Sequence, residues 1–110
     1  MITDPYLVAI LLIGGHFLGD FPLQGQYLSD AKNIKNPIPG IPWWWALFGH
    51  SSIHGMIVGL ITLNPALVLL ETVAHFSIDL KKCLGKISFV EDQLSHILCK
   101  MVIFWLWYIW

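Results

Sequence analysis

The chain has 110 residues, 56% of them hydrophobic and only 12% charged, with a formal net charge of −1. A soluble domain of this size carries far more surface charge, so the long apolar runs point to lipid as the solvent. All six basic residues are lysines and form no basic face for nucleic acid, while Cys83 and Cys99 give neither a CxxC motif nor a disulfide framework.

Taken in chain order, the pattern predicts an all-α integral membrane bundle of four transmembrane helices in a single domain, residues 1–110. The first span covers residues 5–21 and opens with Pro5 after Asp4, a helix-start signal. It lacks the basic n-region and the small-residue cleavage site of a signal peptide. A polar loop rich in Pro, Gly, Asn and Lys then runs from Gln24 to Pro42. The second span covers 43–63, beginning with Trp43, Trp44 and Trp45, an aromatic belt. Thr62-Leu63-Asn64 forms a tight, uncharged hairpin turn, and Asn64-Pro65 starts the third span, 65–80. A basic loop from Lys81 to Ser88 leads to the fourth span, 89–110, which ends in a second belt of Trp105, Trp107, Tyr108 and Trp110. At the helical rise these spans are about 24 to 33 Å long, matching a hydrocarbon core of roughly 30 Å.

Lys32 and Lys35 lie in the first loop, and Lys81, Lys82 and Lys86 in the third. Four spans put both loops on one side. The positive-inside rule makes that side the cytoplasm of an inner (cytoplasmic) membrane, with both termini outside.

Every histidine has a histidine or aspartate four residues away: His16/Asp20, His50/His54, His75/Asp79 and Asp92/His96. There is one pair per span, and positions i and i+4 share a helix face. This is how one helix offers two ligands to one metal ion, although the zinc-protease sequence HEXXH is absent. Counted along the helices, all four pairs fall in the cytoplasmic half of the bundle. A lone intramembrane histidine is as often a structural hydrogen-bonding residue. The set as a whole favours metal or proton chemistry, because buried carboxylates in lipid demand compensation and a divalent cation supplies it. Asp20 and Asp92 also suit helix caps. Glu71, four residues before His75, lies nearer mid-membrane as an outer partner at most. Gln24 and Gln93 are placed to orient the motif aspartates. Gly14-Gly15 and Gly55/Gly59 mark close helix packing.

The segments His16-x3-Asp20-Phe21-x-Leu23-Gln24, His50-x3-His54, His75-x3-Asp79-x-Lys81 and Asp92-Gln93-x2-His96 together resemble the bacterial and phage membrane family called domain of unknown function 3307. The resemblance covers nearly the whole chain. A looser similarity connects the pattern to integral-membrane proteins labelled metal-dependent hydrolases, which implies a metal site more than any one reaction.

These observations give the expected function. A mono- or dinuclear site of His16, Asp20, His50, His54, His75, Asp79, Asp92 and His96 binds a divalent transition metal, with zinc ahead of manganese, iron or nickel. The chain is then a metal-dependent hydrolase of phosphoesters or amides at the cytoplasmic membrane face, with Asp20, Asp79 and Asp92 as the unranked candidates for general base. The alternatives are a metal-ion or proton transporter or channel, which would need a polar path through both halves or a homo-oligomeric pore, and a structural or regulatory membrane subunit whose polar cluster only locks the bundle. The bilayer is the expected partner.

Overall fold

Local signals set where the helices begin. Asp4 accepts a hydrogen bond from the Leu7 N–H (3.0 Å) and Asn64 one from the Ala66 N–H (2.9 Å), each just ahead of a proline that opens the helix. Ser88 and Glu91 form a reciprocal capping box, so these two residues, not Asp92, close the start of the last helix. The computed structural model describes all residues from Met1 to Trp110 and contains five helices and no strand: α1 (Pro5–Asp20), α2 (Gly25–Ala31), α3 (Trp43–Thr62), α4 (Pro65–Cys83) and α5 (Phe89–Ile109).

α2 corrects the expected polar loop over Gln24–Pro42. It is one short helix with no apolar periodicity of its own, held by packing against α3 and by Lys32 at its C-terminal end. α4 also extends past the expected end at residue 80, so Lys81, Lys82 and Cys83 are helical. The four long helices pack in the ring order α1, α3, α4, α5, each against its two neighbours. α3 joins α4 through Leu63, which takes a left-handed conformation (φ 53°). At one end Met1, Trp110 and this turn line a common depression. The lysine-bearing connections share the opposite end, where the Lys35 ammonium lies close to Gly85.

Residues spaced four apart, with one three-residue step in each of α3 and α5, turn inward on every long helix and stack into layers. Nearest the lysine end lie Asp20, His50, Asp79 and Asp92. The next layer is a ring of four histidines, His16, His54, His75 and His96. Below it come Leu12, Val58, Glu71 and Lys100, and then Val8, Ile61, Leu67 and Ile103. All of these are buried, and the lower apolar members form one packed core. The surface is the reverse of the interior. Thirteen of the 24 buried residues are polar or charged, while 28 large hydrophobic side chains are exposed.

No single helix is long and apolar enough to cross a membrane; the one combination that passes is α1 with α2, bent by 79°. The reason is visible in the layers. α3 carries His50, Ser51, Ser52 and His54, α4 carries Glu71, His75 and Asp79, and α5 carries Glu91, Asp92, His96 and Lys100, so each helix's average is lowered by residues that mostly face inward.

Glycines set the closest approaches. A Cβ on Gly19 would lie 2.7 Å from the His54 ring, one on Gly15 would lie 2.6 Å from Ile57, and one on Gly55 would run into the Thr72 side chain. The neighbouring Gly14 faces open space, so Gly15 alone of that pair is a packing residue.

Candidate metal centre

All eight predicted ligands converge. Asp20 ends α1 one turn after His16, and its carboxylate is the hub. Asp20 Oδ1 lies 3.0 Å from His54 Nε2, 3.2 Å from His50 Nε2 and 3.6 Å from His75 Nε2. His75 Nε2 is 3.1 Å from His50 Nε2. Asp79 stands 3.6 Å from His50 and 3.8 Å from His96, and His96 is 3.3 Å from Asp92. The rings of His54 and His75 stack at 3.7 Å between centroids, and those of His75 and His96 at 4.0 Å.

Gln93 ties the aspartates together as its position suggested. Its amide donates to Asp20 Oδ2 (2.9 Å) and Asp92 Oδ2 (3.1 Å), and its oxygen is 3.0 Å from His16 Nε2. Gln24 does not share that role; it donates to the backbone carbonyl of Asp20 (3.3 Å). Two buried lysines went unassigned to the site on sequence grounds. Lys32, delivered by α2, pairs with Asp79 at the top of the polar column, and Lys100 pairs with Glu71 below the histidine ring. The spacing of Lys100, four after His96, was a readable signal. For Lys32 there was none, because its approach depends on the 79° bend between α1 and α2. Glu71 Oε1 sits 3.6 Å from His75 Nδ1, the outer position expected of it. Cys99 belongs to none of the ligand groups.

A family profile described as protein of unknown function (DUF3307) matches residues 7–110. The chain belongs to the DUF3307 family. No curated protein and no solved structure matches it. The four motif segments therefore lie within the matched region of the DUF3307 chain, and the geometry is its own guide to chemistry.

Hydrogen bonding alone does not satisfy this cluster. Eight buried side-chain atoms on these residues lack a partner, among them both ring nitrogens of His54 and of His96 and one oxygen of Asp92. His54 Nε2 is close to Asp20 Oδ1 yet misaligned for a hydrogen bond. His50 Nε2 faces both Asp20 and His75 Nε2, and a single ring proton serves the two at best by being shared. A divalent transition ion held at about 2.1 Å would place neighbouring donor atoms roughly 3.0–3.4 Å apart. The Asp20–His50 and Asp20–His54 separations of 3.2 and 3.0 Å fall in that range. Three groups could hold an ion: His16, Asp20, His54 and His75; His50, His75 and Asp79; and Asp20, Asp92 and His96.

The charge balance also leaves room for a cation. The buried carboxylates Asp20, Glu71, Asp79 and Asp92 face only two buried ammonium groups, Lys32 and Lys100, leaving two negative charges if the imidazoles are neutral. One divalent cation balances them. A cleft of about 80 Å³ reaches the cluster from the lysine end between Phe21 and Phe89 and is lined by Asp20, Asp79, Lys32 and Gln93 among others.

Proposed function

We propose that this chain is a membrane-embedded transition-metal protein, zinc being the preferred ion, that hydrolyses a phosphoester or amide at one membrane face. The observation that carries the reading is the gathering of five imidazoles and three carboxylates at one buried point, where His54 Nε2, His96 Nε2 and Asp92 Oδ1 have no hydrogen-bond partner. The membrane half of the reading is supported by the inverted distribution of polarity, apolar outside and ionisable inside. Exposed Trp44 and Trp45 near one end, and Trp105, Tyr108 and Trp110 near the other, suit two interfacial belts. The lysines of the first and third connections would put the cleft end in the cytoplasm and both termini outside.

A bound ion of this class supplies Lewis-acid activation of water and of a phosphoryl or carbonyl oxygen. The chain's part is to hold the ion with imidazoles and carboxylates, to orient Asp20 and Asp92 through Gln93, and to keep Asp20 or Asp79 at the cleft as a proton acceptor. The apolar layer of Val8, Ile61, Leu67 and Ile103 closes the opposite end, which supports a one-sided site over a transport path.

Metal analysis of protein purified in detergent without chelators tests the core of this. Stoichiometric transition metal is expected, and His54→Ala should lower it while destabilising the fold. No metal, with a variant as stable as the parent, ends the metal reading. Metal with liposome flux and no hydrolysis moves the function to transport. Topology is tested with Ser29→Cys and Ser88→Cys in a chain whose Cys83 and Cys99 are serine; labelling from outside the cytoplasm would overturn the orientation.

A further inference from the structure

We infer that the centre takes two divalent ions and that an oxyanion of the phosphate class bridges them, a deepening that rests on the metal reading above. Two of the ligand groups share no residue. His50, His75 and Asp79 come from the packed pair α3 and α4, while Asp20, Asp92 and His96 come from the packed pair α1 and α5. Each triad has the same construction: one helix gives an aspartate and a histidine four apart, and its neighbour gives one residue from the layer nearest the cleft. The third group takes Asp20 from one triad and His75 from the other, so it describes the ground between them. His16, engaged by Gln93, and His54, 3.0 Å from Asp20, flank the triads as further ligands for the two ions.

The triads also stand at a suitable distance. Donor atoms across the divide are separated by 3.2 Å (Asp20 and His50), 3.6 Å (Asp20 and His75) and 3.8 Å (Asp79 and His96). These are ligand separations; they make the triads direct neighbours, so that an ion in each could share one bridging ligand, as do the ions about 3.5–4 Å apart in two-metal hydrolytic centres. Asp20, with Oδ1 facing the α3–α4 triad and Oδ2 held by Gln93 on the other side, is placed to reach both.

The ligand class follows from charge. With the imidazoles neutral, as metal ligation requires, the buried groups carry two negative charges, so the first divalent ion neutralises the interior and the second leaves two positive charges in a low-dielectric site. A dianionic phosphate or phosphomonoester restores neutrality. The cleft touches one carboxylate of each triad, Asp20 and Asp79, with Lys32 and Lys82 beside them. Its volume of about 80 Å³ equals two to three waters at about 30 Å³ each, room for one tetrahedral oxyanion. Binding of the second ion and of the oxyanion must then be mutually favourable.

The test is calorimetric zinc titration of the chelator-stripped full chain in detergent micelles. Two zinc ions per chain are expected, and one each for Asp79→Asn and for Asp92→Asn, whose helical circular dichroism is checked against the parent. Phosphate, kept below the solubility limit of its zinc salt, should tighten the weaker site about tenfold and leave the tighter one unchanged. Parallel titrations use inorganic phosphate in plain micelles and micelles doped with phosphatidate. Tightening by phosphatidate alone assigns the oxyanion to a lipid headgroup, and tightening by inorganic phosphate to a free one. Tightening by neither overturns the oxyanion. One zinc at saturation in the parent, or loss of both from a folded single variant, overturns the two-ion centre. No zinc at all overturns the underlying metal reading instead.

Discussion

The two ends of the bundle use one packing scheme for opposite purposes. In both, four helices send residues at three- or four-residue spacing to a shared axis. At the end where the termini meet, those residues are Val8, Ile61, Leu67 and Ile103, which fill space and ask for nothing. At the lysine end they are Asp20, His50, Asp79 and Asp92 above four histidines, equally buried yet with eight polar atoms unpartnered. Scaffold and site are thus separable along the helix axis. Glu71 and Lys100, paired one layer above the apolar plug, are the boundary between them.

Breaking the boundary should cost most. Lys100→Met strands the Glu71 carboxylate in the core and should destabilise the protein by about 4 kcal/mol. Adding Glu71→Leu should recover most of that loss, because the layer then joins the apolar plug; denaturation in micelles measures both, and a double variant no better than the single would refute the boundary role. Within the scaffold, Leu67→Ala should cost about 3 kcal/mol through the cavity it leaves. Its metal content should match the parent's, and a fall in bound metal would show that the ends are not separable. Gly19→Ala pushes a methyl against the His54 ring and should cost about 2 kcal/mol by overpacking. Here the more telling readout is weakened zinc affinity, and an unchanged affinity would remove His54 from the ligand set. The smallest effect belongs to the α3–α4 turn. Leu63 pays for a left-handed backbone that glycine adopts freely, so Leu63→Gly should stabilise by about 1 kcal/mol without touching metal binding. A loss of stability on thermal melting would show that the exposed leucine side chain matters more than its backbone.

The four long helices and the eight convergent residues were legible because helical periodicity converts sequence spacing into a face, and one pair per helix at matching depth converts faces into a cluster. The caps at Asp4 and Asn64 were legible for the same local reason, as were the outer positions of Gln93 and Glu71. What escaped was non-local. α2 is a single short helix whose support comes from α3 and from an ion pair to α4, and neither leaves a mark in its own seven residues. Lys32 could be read as a loop charge, yet it lies buried against Asp79. The polar column also runs one layer deeper than expected, because Lys100, four residues after His96, faces inward as well and meets Glu71 across the bundle.

The four-residue stripe has a consequence for how such a chain can vary. Each helical residue advances the azimuth by about 100°, so one residue inserted between His16 and Asp20 would swing the hub carboxylate out of the centre and toward the apolar exterior. The same insertion in residues 33–42 would change only the slack of a connection. Length is therefore free to drift in the connection after α2 and frozen between the paired histidines and aspartates, and the spacing within each pair, more than the identity of the apolar residues around it, is what this architecture holds fixed.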